Sequence, residues 1–470
     1  MSLQARLSRN YISLAAARFT SKVISFLAAV IIARHLGATD FGVFTFSFAA
    51  TTLAITIFQA GLTPLVVREI ARDRRQAPHY LTLSLVVRLI GGVIIVAVAA
   101  AIFAATRAPG AAAAAVAAAS LGLATLMASF TDVFQAFERM EFVAAVLIFN
   151  NLVLLGLVAY SASVHADVLW VLGAYAAANA LSLVAAAIVC VAKFATPSPR
   201  VSPRDVWSFC RRAVPFSLSA LVASLYWRSD RILLKIFAGD RAVGIYGAAS
   251  SIVEGLVLVS GSFREAVYPV LARFWPASPE PFRDASRTAF KFLVALAVPI
   301  GVGTSLVAYK LFPFIYGHEY AAGWPVLAVL IWALVAIFVR ELTAATMFAL
   351  DMQKLVLASN AIGAATSIAA NALLIPRFSF MGAALAGVIT AFGTTAFNLI
   401  LIRAKVRKIY PWRLALRPLA AAAAMGLFLY FSRPLSLWIN IAGGAVIYVL
   451  LLMLTRYYRL SQVGQLFRAR

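Results

Sequence analysis

Of the 41 lysines and arginines in this 470-residue chain, eight are left within membrane-crossing stretches once those near the two membrane faces are set aside, and their spacing is the first chemistry the sequence offers. Arg18 and Lys22 stand at i and i+4, and Arg228, Arg231 and Lys235 at i, i+3 and i+7, so each set shares one face of a helix. Arg88 stands in a third apolar stretch, and Arg264 and Arg340 are each followed by a glutamate, Glu265 and Glu341. Counting the helical rise back from the turn glycines that follow these two helices, Gly37 and Gly239, puts Arg18 roughly 28 Å deep, Lys22 roughly 22 Å, Arg228 roughly 16 Å, Arg231 roughly 12 Å and Lys235 roughly 6 Å. Arg88 lies about 12 Å into its own helix. Ionisable groups in hydrocarbon are costly and by default mark a substrate or ion path. Arginine grips phosphate with two parallel hydrogen bonds and lysine acts as a point charge. Cations at successive depths let an anion move without one deep trap. The expectation is an anion path that handles a diphosphate or an acidic glycan, with Arg18, Lys22, Arg88, Arg228, Arg231 and Lys235 as substrate-binding residues.

Each of these residues also has a plainer reading. Arg18 and Lys235 lie near helix ends, where long side chains snorkel to headgroups. Asp230 and Glu254 fall at depths similar to Arg228 and Arg231, and they either neutralise those arginines or serve as protonatable, ion-coupling sites. The Arg264-Glu265 and Arg340-Glu341 pairs are expected at the interface rather than the centre. Pro215, Pro299, Gly301 and Gly303 are hinge candidates, although proline and glycine are common in membrane helices generally.

The elements that position these side chains follow from composition. The chain is 63% hydrophobic and 12% charged, with a mean hydropathy of +0.92, whereas soluble domains are about half apolar and a quarter charged. That excludes a soluble enzyme or a secreted domain. A spanning helix needs about 20 mostly apolar residues. Stretches that satisfy this are 11–36, 41–66, 80–106, 111–137, 142–164, 168–193, 207–237, 243–268, 285–311, 322–349, 355–375, 380–402, 413–432 and 436–456, fourteen in all. Arg18 and Lys22 interrupt the first, so it reads as a retained helix rather than a cleaved signal.

The formal charge of +24 would suit nucleic acid in a soluble protein. Here an even number of spans puts both termini on one side, and twenty-seven Lys and Arg fall on that side against six on the other. This is the positive-inside bias, which places both termini in the cytoplasm and leaves nucleic acid unneeded. Two cysteines, Cys190 and Cys210, and four scattered histidines offer neither a disulfide framework nor metal-ligand spacing. No catalytic motif is present, so no enzyme activity and no cofactor are expected, apart from proton or sodium coupling.

The Pro/Ser-rich connector 194–206 separates six spans from eight, and the basic stretch 403–410 sets off the last two. The expected domains are a six-helix lobe over 1–200, a second over 201–404, and two further helices over 405–470. The halves also repeat one another. Gly37 with Gly42 and Phe44 matches Gly239 with Gly244 and Tyr246 at an offset of 202, Pro64 and Arg68 match Pro269 and Arg273 at 205, and Phe137-Glu138 matches Leu350-Asp351. Three matches in one order imply parallel repeats about an axis along the membrane normal, with the substrate between them.

Several stretches resemble the Wzx-type polysaccharide and O-antigen flippases of the multidrug/oligosaccharidyl-lipid/polysaccharide (MOP) exporter superfamily. They are Ala33-Arg34-His35-Leu36-Gly37 leading to Phe41-Gly42-Val43-Phe44, and Pro215 followed by Asp230-Arg231, Gly239 and Gly244-Ile245-Tyr246-Gly247-Ala248-Ala249. Further on come Leu311-Phe312-Pro313-Phe314-Ile315-Tyr316-Gly317 with Glu319-Tyr320, and Asn371-Ala372-Leu373-Leu374-Ile375-Pro376 with Gly382-Ala383-Ala384. The resemblance implies an all-α polytopic membrane protein of about 14 transmembrane helices, with two pseudosymmetric six-helix bundles plus two C-terminal helices in a MATE-like V-shaped architecture. It implies a flippase that moves an undecaprenyl-diphosphate-linked oligosaccharide from the cytoplasmic to the periplasmic leaflet of the bacterial inner membrane by alternating access, for polysaccharide or lipopolysaccharide biosynthesis. Partners would be the lipid-linked anionic oligosaccharide, the phospholipid bilayer, and a polysaccharide polymerase or glycosyltransferases. A lipid II flippase of peptidoglycan synthesis is the nearest alternative. A MATE-type drug/cation antiporter fits less well, because intramembrane cations outnumber acids here. A membrane glycosyltransferase would need an acidic motif in a sizeable loop, which the sequence lacks.

Overall fold

The computed structural model describes residues 3–455 and 457, except 60, 107, 108, 199, 407 and 408, and gives the backbone alone for 3–16, 18, 58, 109 and 219. The described residues are helical almost throughout, with no strand among them. In order they form α1 (Leu3–Gln59), α2 (Leu62–Arg72), α3 (Ala77–Thr106), α4 (Pro109–Ala136), α5 (Met140–Ser163), α6 (Val168–Lys193), α7 (Pro203–Phe274), α8 (Pro279–Tyr316), α9 (Trp324–Ala349), α10 (Gln353–Lys405), α11 (Arg413–Phe431) and α12 (Leu437–Leu454). Eleven helical stretches among the described residues are long and apolar enough to cross a membrane.

Three helices are each two helices run together across a break: α1 at Gly37 (φ 73°, ψ 174°), α7 at Gly239 (φ 79°, ψ −177°) and α10 at Ser379 (φ 51°, ψ −132°). The span boundaries expected at 36/41, 237/243 and 375/380 fall on these breaks. Positive φ is uncommon outside glycine, yet Glu138 (59°), His165 (52°), Asp351 (58°) and Ser379 adopt it. These residues pair along the chain. Gly37 matches Gly239 at an offset of 202, Glu138 matches Asp351 at 213, and His165 matches Ser379 at 214. The repeat read from the sequence at the first two of these places is thus also a repeat of backbone conformation, and the third pair extends it.

The chain divides into two compact units, Met1–Gly247 and Ala248–Arg470. In the first, α1 packs on α4 and α5, α3 on α4, and α4 and α5 on α6. Its core gathers on α2, where Leu62, Leu65, Val66 and Ile70 are buried while Arg68 and Arg72 point outward, an apolar stripe at helical spacing. Phe134 of α4 and Phe209 of α7 are fully buried in the same cluster. The 194–206 connector is pinned to α3 by Ser198, whose N–H donates to Thr82 Oγ1 (2.8 Å). A capping box then starts α7: Ser202 N–H and hydroxyl donate to Asp205 Oδ2 (2.9 and 2.8 Å), and Asp205 N–H returns to Ser202 Oγ (3.3 Å).

In the second unit α8 packs on α9, α9 on α10, and α11 and α12 on α8. The Leu311–Tyr320 stretch has a packing role: Phe312, Tyr316 and Tyr320 are fully buried, Gly317 ends α8 at φ 92°, and the Tyr316 hydroxyl bonds Ser251 Oγ (2.8 Å).

Candidate functional site

The broken ends of α1 and α7 meet through their backbones inside the first unit. A Cβ on Gly42 would stand 1.8 Å from Asp240 O, and one on Gly244 would stand 1.8 Å from Ala38 O. Only glycine permits this approach. The contact is reciprocal, because Asp240 and Gly244 are Ala38 and Gly42 displaced by 202. Such a pairing, in which i touches j′ and j touches i′, is the signature of a twofold relation.

The α7 cations run up to this junction. Arg231 is 4% exposed, Arg228 is half-buried, and Lys22 of α1 is exposed. The Lys235 ammonium binds the Asp240 carboxylate and lies 5.8 Å from the ring centre of Phe46 on α1. Asp230 accepts from the Tyr246 hydroxyl (2.6 Å) and from the Arg231 backbone N–H (2.7 Å), and neither donor is a cationic side chain. Lys235–Asp240 and Asp230–Tyr246 therefore clasp the break at Gly239 from both sides. The side chain of Arg18 lies outside the described residues.

Arg88 is positioned elsewhere. It is 2% exposed, and its guanidinium donates to Asp132 Oδ2 (2.8 Å), Thr63 Oγ1 (2.9 Å) and the Thr125 carbonyl (2.9 Å). Thr63 also donates to Asp132 (3.1 Å), and the Gln59 amide donates to the Arg88 carbonyl (3.0 Å). This network ties α2, α3 and α4 together. Asp132 escaped the sequence reading. The available signal was a lone acid in the apolar 111–137 stretch directly after a lone arginine in 80–106.

In the second unit Glu341 accepts from Arg264 (2.9 Å) and Arg340 (3.2 Å) and is 8% exposed. Glu254 is half-buried and Pro215 exposed. Gly301 is buried, while Pro299 and Gly303 line an apolar groove of about 600 Å³ between α8 and the α11–α12 pair. A second acid missed by the sequence reading, Glu69 at the end of α2, accepts from Arg68 (2.8 Å) and Arg212 (2.6 Å). Partial burial pushes its carboxyl up, but the hydrogen bonds from the two guanidiniums outweigh this and hold it below the ordinary glutamate value.

The profile of the polysaccharide biosynthesis protein family matches residues 7–275. No curated protein matches the chain. Among solved structures, the lipid II flippase MurJ in an inward closed conformation is similar with a TM-score of 0.78 at 14% identity, covering 94% of this chain and 98% of that one. An outward-facing multidrug resistance MATE family transporter of the MOP superfamily gives 0.59 at 17% identity, covering 85% and 96%. A MOP superfamily transporter from Pyrococcus furiosus, described as having a binding pocket of reversed polarity, gives 0.55 at 14% identity, covering 85% and 96%. At these identities the likenesses show the fold, an all-α multi-pass membrane fold shared with MurJ and the MATE transporters.

Proposed function

The chain belongs to the polysaccharide biosynthesis protein family of the MOP superfamily, and on that premise we propose that it flips an undecaprenyl-diphosphate-linked oligosaccharide between the leaflets of a bacterial inner membrane. The observation that carries this reading is the set of cations on α1 and α7. Arg231 is buried and Arg228 half-buried on one face of a membrane helix, with Lys22 exposed on the adjoining one. Ionisable side chains in membrane helices by default mark a substrate path, and a diphosphate or acidic glycan is the cargo that arginine and lysine suit. The reciprocal contact at Gly42 and Gly244 supports an internal repeat, and the reading takes 1–200 and 201–404 as its two lobes, with residues 405–470 outside the repeat. The groove beside Pro299 is apolar enough to shelter part of a prenyl chain. The same reading places both termini in the cytoplasm, assigns coupling to protons or sodium with Asp230 and Glu254 as candidate carriers, and expects a polymerase or glycosyltransferases as partners.

The test is export of the glycan in cells carrying Lys22→Ala/Arg228→Ala. Glycan export is expected to fall at least 100-fold while the protein remains in the membrane at wild-type level. Full export in that variant would overturn the assignment of the site.

A second reading, a lipid II flippase, is favoured by the likeness to MurJ over nearly the whole chain. The lipid-linked sugar that accumulates when the protein is removed separates the two. A polysaccharide repeat unit supports the first, and a peptidoglycan precursor supports the second.

A further inference from the structure

The first unit holds a lateral cleft of about 500 Å³ between the end of α1, the middle of α3 and the first third of α7, within the range of about 300–1,000 Å³ that ligand pockets take. Its walls are almost wholly apolar. Ile57, Ile90, Val214 and Leu218 line it and are 51–62% exposed, so in a membrane the cleft opens sideways to lipid. Its inner side is shut by a tight contact of the α1–α2 corner against α7, where Gly61 N–H donates to Ser217 Oγ (3.2 Å).

Charge sits at one end of this cleft. On α7, Arg211 precedes the lining residues Val214 and Leu218 by about one and two turns, which puts it on their side of the helix just outside the lining, and it is exposed with no ion pair among the described residues. Beside it, Arg68 and Arg212 share the single carboxylate of Glu69 with side chains 43% and 41% exposed. At the opposite end, toward Ile94 and Leu221, the lining is aliphatic. The cleft is thus an apolar slot with a cationic mouth, complementary to a long apolar chain that carries a concentrated anion at one end.

We propose that this cleft is where the substrate is first received: the prenyl chain next to the diphosphate lies between α3 and α7, and Arg211 at the mouth takes the diphosphate. This rests on the flippase reading and adds to it a receiving site distinct from the Lys22–Arg231 cations. A diphosphate brings more charge to the mouth than the single phosphate of a phospholipid, so Arg211 favours the prenyl diphosphate over the surrounding bilayer.

Cys210 lines the cleft and is partly exposed, whereas Cys190, the other cysteine, is fully buried, so the protein carries its own reporter. The measurement is the rate at which N-ethylmaleimide alkylates Cys210 in proteoliposomes, located by peptide mass spectrometry. Undecaprenyl diphosphate in phosphatidylcholine is expected to slow alkylation at least fivefold. Undecaprenol, or phosphatidylglycerol at equal charge density, is expected to change it less than twofold. Arg211→Gln should remove the protection relative to its own rate without ligand, and Val214→Trp, which fills the slot, should do the same. Equal protection by undecaprenol or phosphatidylglycerol would reduce the cleft to a lipid-packing groove and overturn the proposal, and absence of protection would overturn it too. Binding of undecaprenyl diphosphate to the intact protein, followed by native mass spectrometry, separates the two levels. Binding without protection of Cys210 removes the cleft and leaves the flippase standing, whereas no binding at all removes both.

Discussion

Arg88 and Arg231 are arginines of similar burial in the same compact unit, 2% and 4% exposed, set in surroundings of different kinds. Around Arg88, the neighbouring helices α2 and α4 supply one carboxylate, one hydroxyl and one carbonyl within 2.9 Å. The charge is matched by its own bundle and holds three helices in register. At the α1–α7 junction the acids are turned to a different use. Asp230 holds Tyr246 and Asp240 holds Lys235, both across the break at Gly239. One region uses charge to close a core across three helices; the other uses it to clasp a jointed helix. Burial alone does not say what a charged side chain does; the groups bound around it do.

The largest effect that can break this comparison belongs to the Arg88 network. Removing one member of a buried ion pair typically costs about 3–5 kcal/mol, because the other charge stays behind uncompensated. Arg88→Ala is therefore expected to lower the folded yield sharply, read by thermal unfolding in detergent. Arg88→Leu/Asp132→Leu removes both charges and should recover most of the loss. If Arg88→Ala instead kept normal stability and lost transport, Arg88 would belong with the α7 cations. Next in size are the glycines of the junction. A methyl group on Gly42 must displace the Asp240 carbonyl, and overpacking of this kind costs roughly 1–3 kcal/mol. Because the contact is reciprocal, Gly244→Ala should cost about the same, and a large inequality in unfolding temperature would break the twofold argument. A smaller change is expected from Asp240→Asn. The Lys235–Asp240 pair is partly exposed, with side chains at 30% and 25%, so its loss should cost no more than about 1 kcal/mol and be read in the same unfolding assay.

Much of the architecture was legible in the residues because a bilayer imposes it. Apolar runs of about 20 residues and the glycines at 37 and 239 mark the helices and two of their breaks. The break at Ser379 was legible only as a boundary between spans, since serine carries no signal for positive φ, and its partner His165, though of a type enriched there, is too weak a signal alone. The cations were visible as cations, but their partners were not. Asp132 lies 44 residues from Arg88, and a lone acid barely lowers the apolar score of its helix. Lys235 and Asp240, five apart, would not face each other on a continuous helix and meet only because Gly239 breaks it. Spacing rules assume an unbroken helix, so they fail where this chain places its junction.

The gentlest test of the comparison is acid, applied where charge is neither sealed in nor within the membrane span. Glu69 sits at the end of α2 with its carboxyl held below the ordinary glutamate value by the Arg68 and Arg212 guanidiniums. A carboxyl whose folded value is depressed contributes stability that is complete above its unfolded value, near 4.3 for glutamate, and is lost as the pH falls through the lower folded value. Both arginines are more than a third exposed, so solvent screening limits the contribution to about 0.5–1 kcal/mol. Unfolding of the wild type should therefore be flat from pH 7 to pH 5 as far as this group is concerned and weaken below about pH 4.3. Glu69→Gln should be less stable than wild type by about that amount at pH 7, with the difference closing at low pH. Because Glu69 also anchors Arg212 beside the mouth of the α3–α7 cleft, high salt should shrink the difference at pH 7, as screening requires of an exposed pair. The Arg88–Asp132 pair, sealed among α2, α3 and α4, should be insensitive to the same salt. A difference at Glu69 that persisted in high salt would place it with the sealed charges instead.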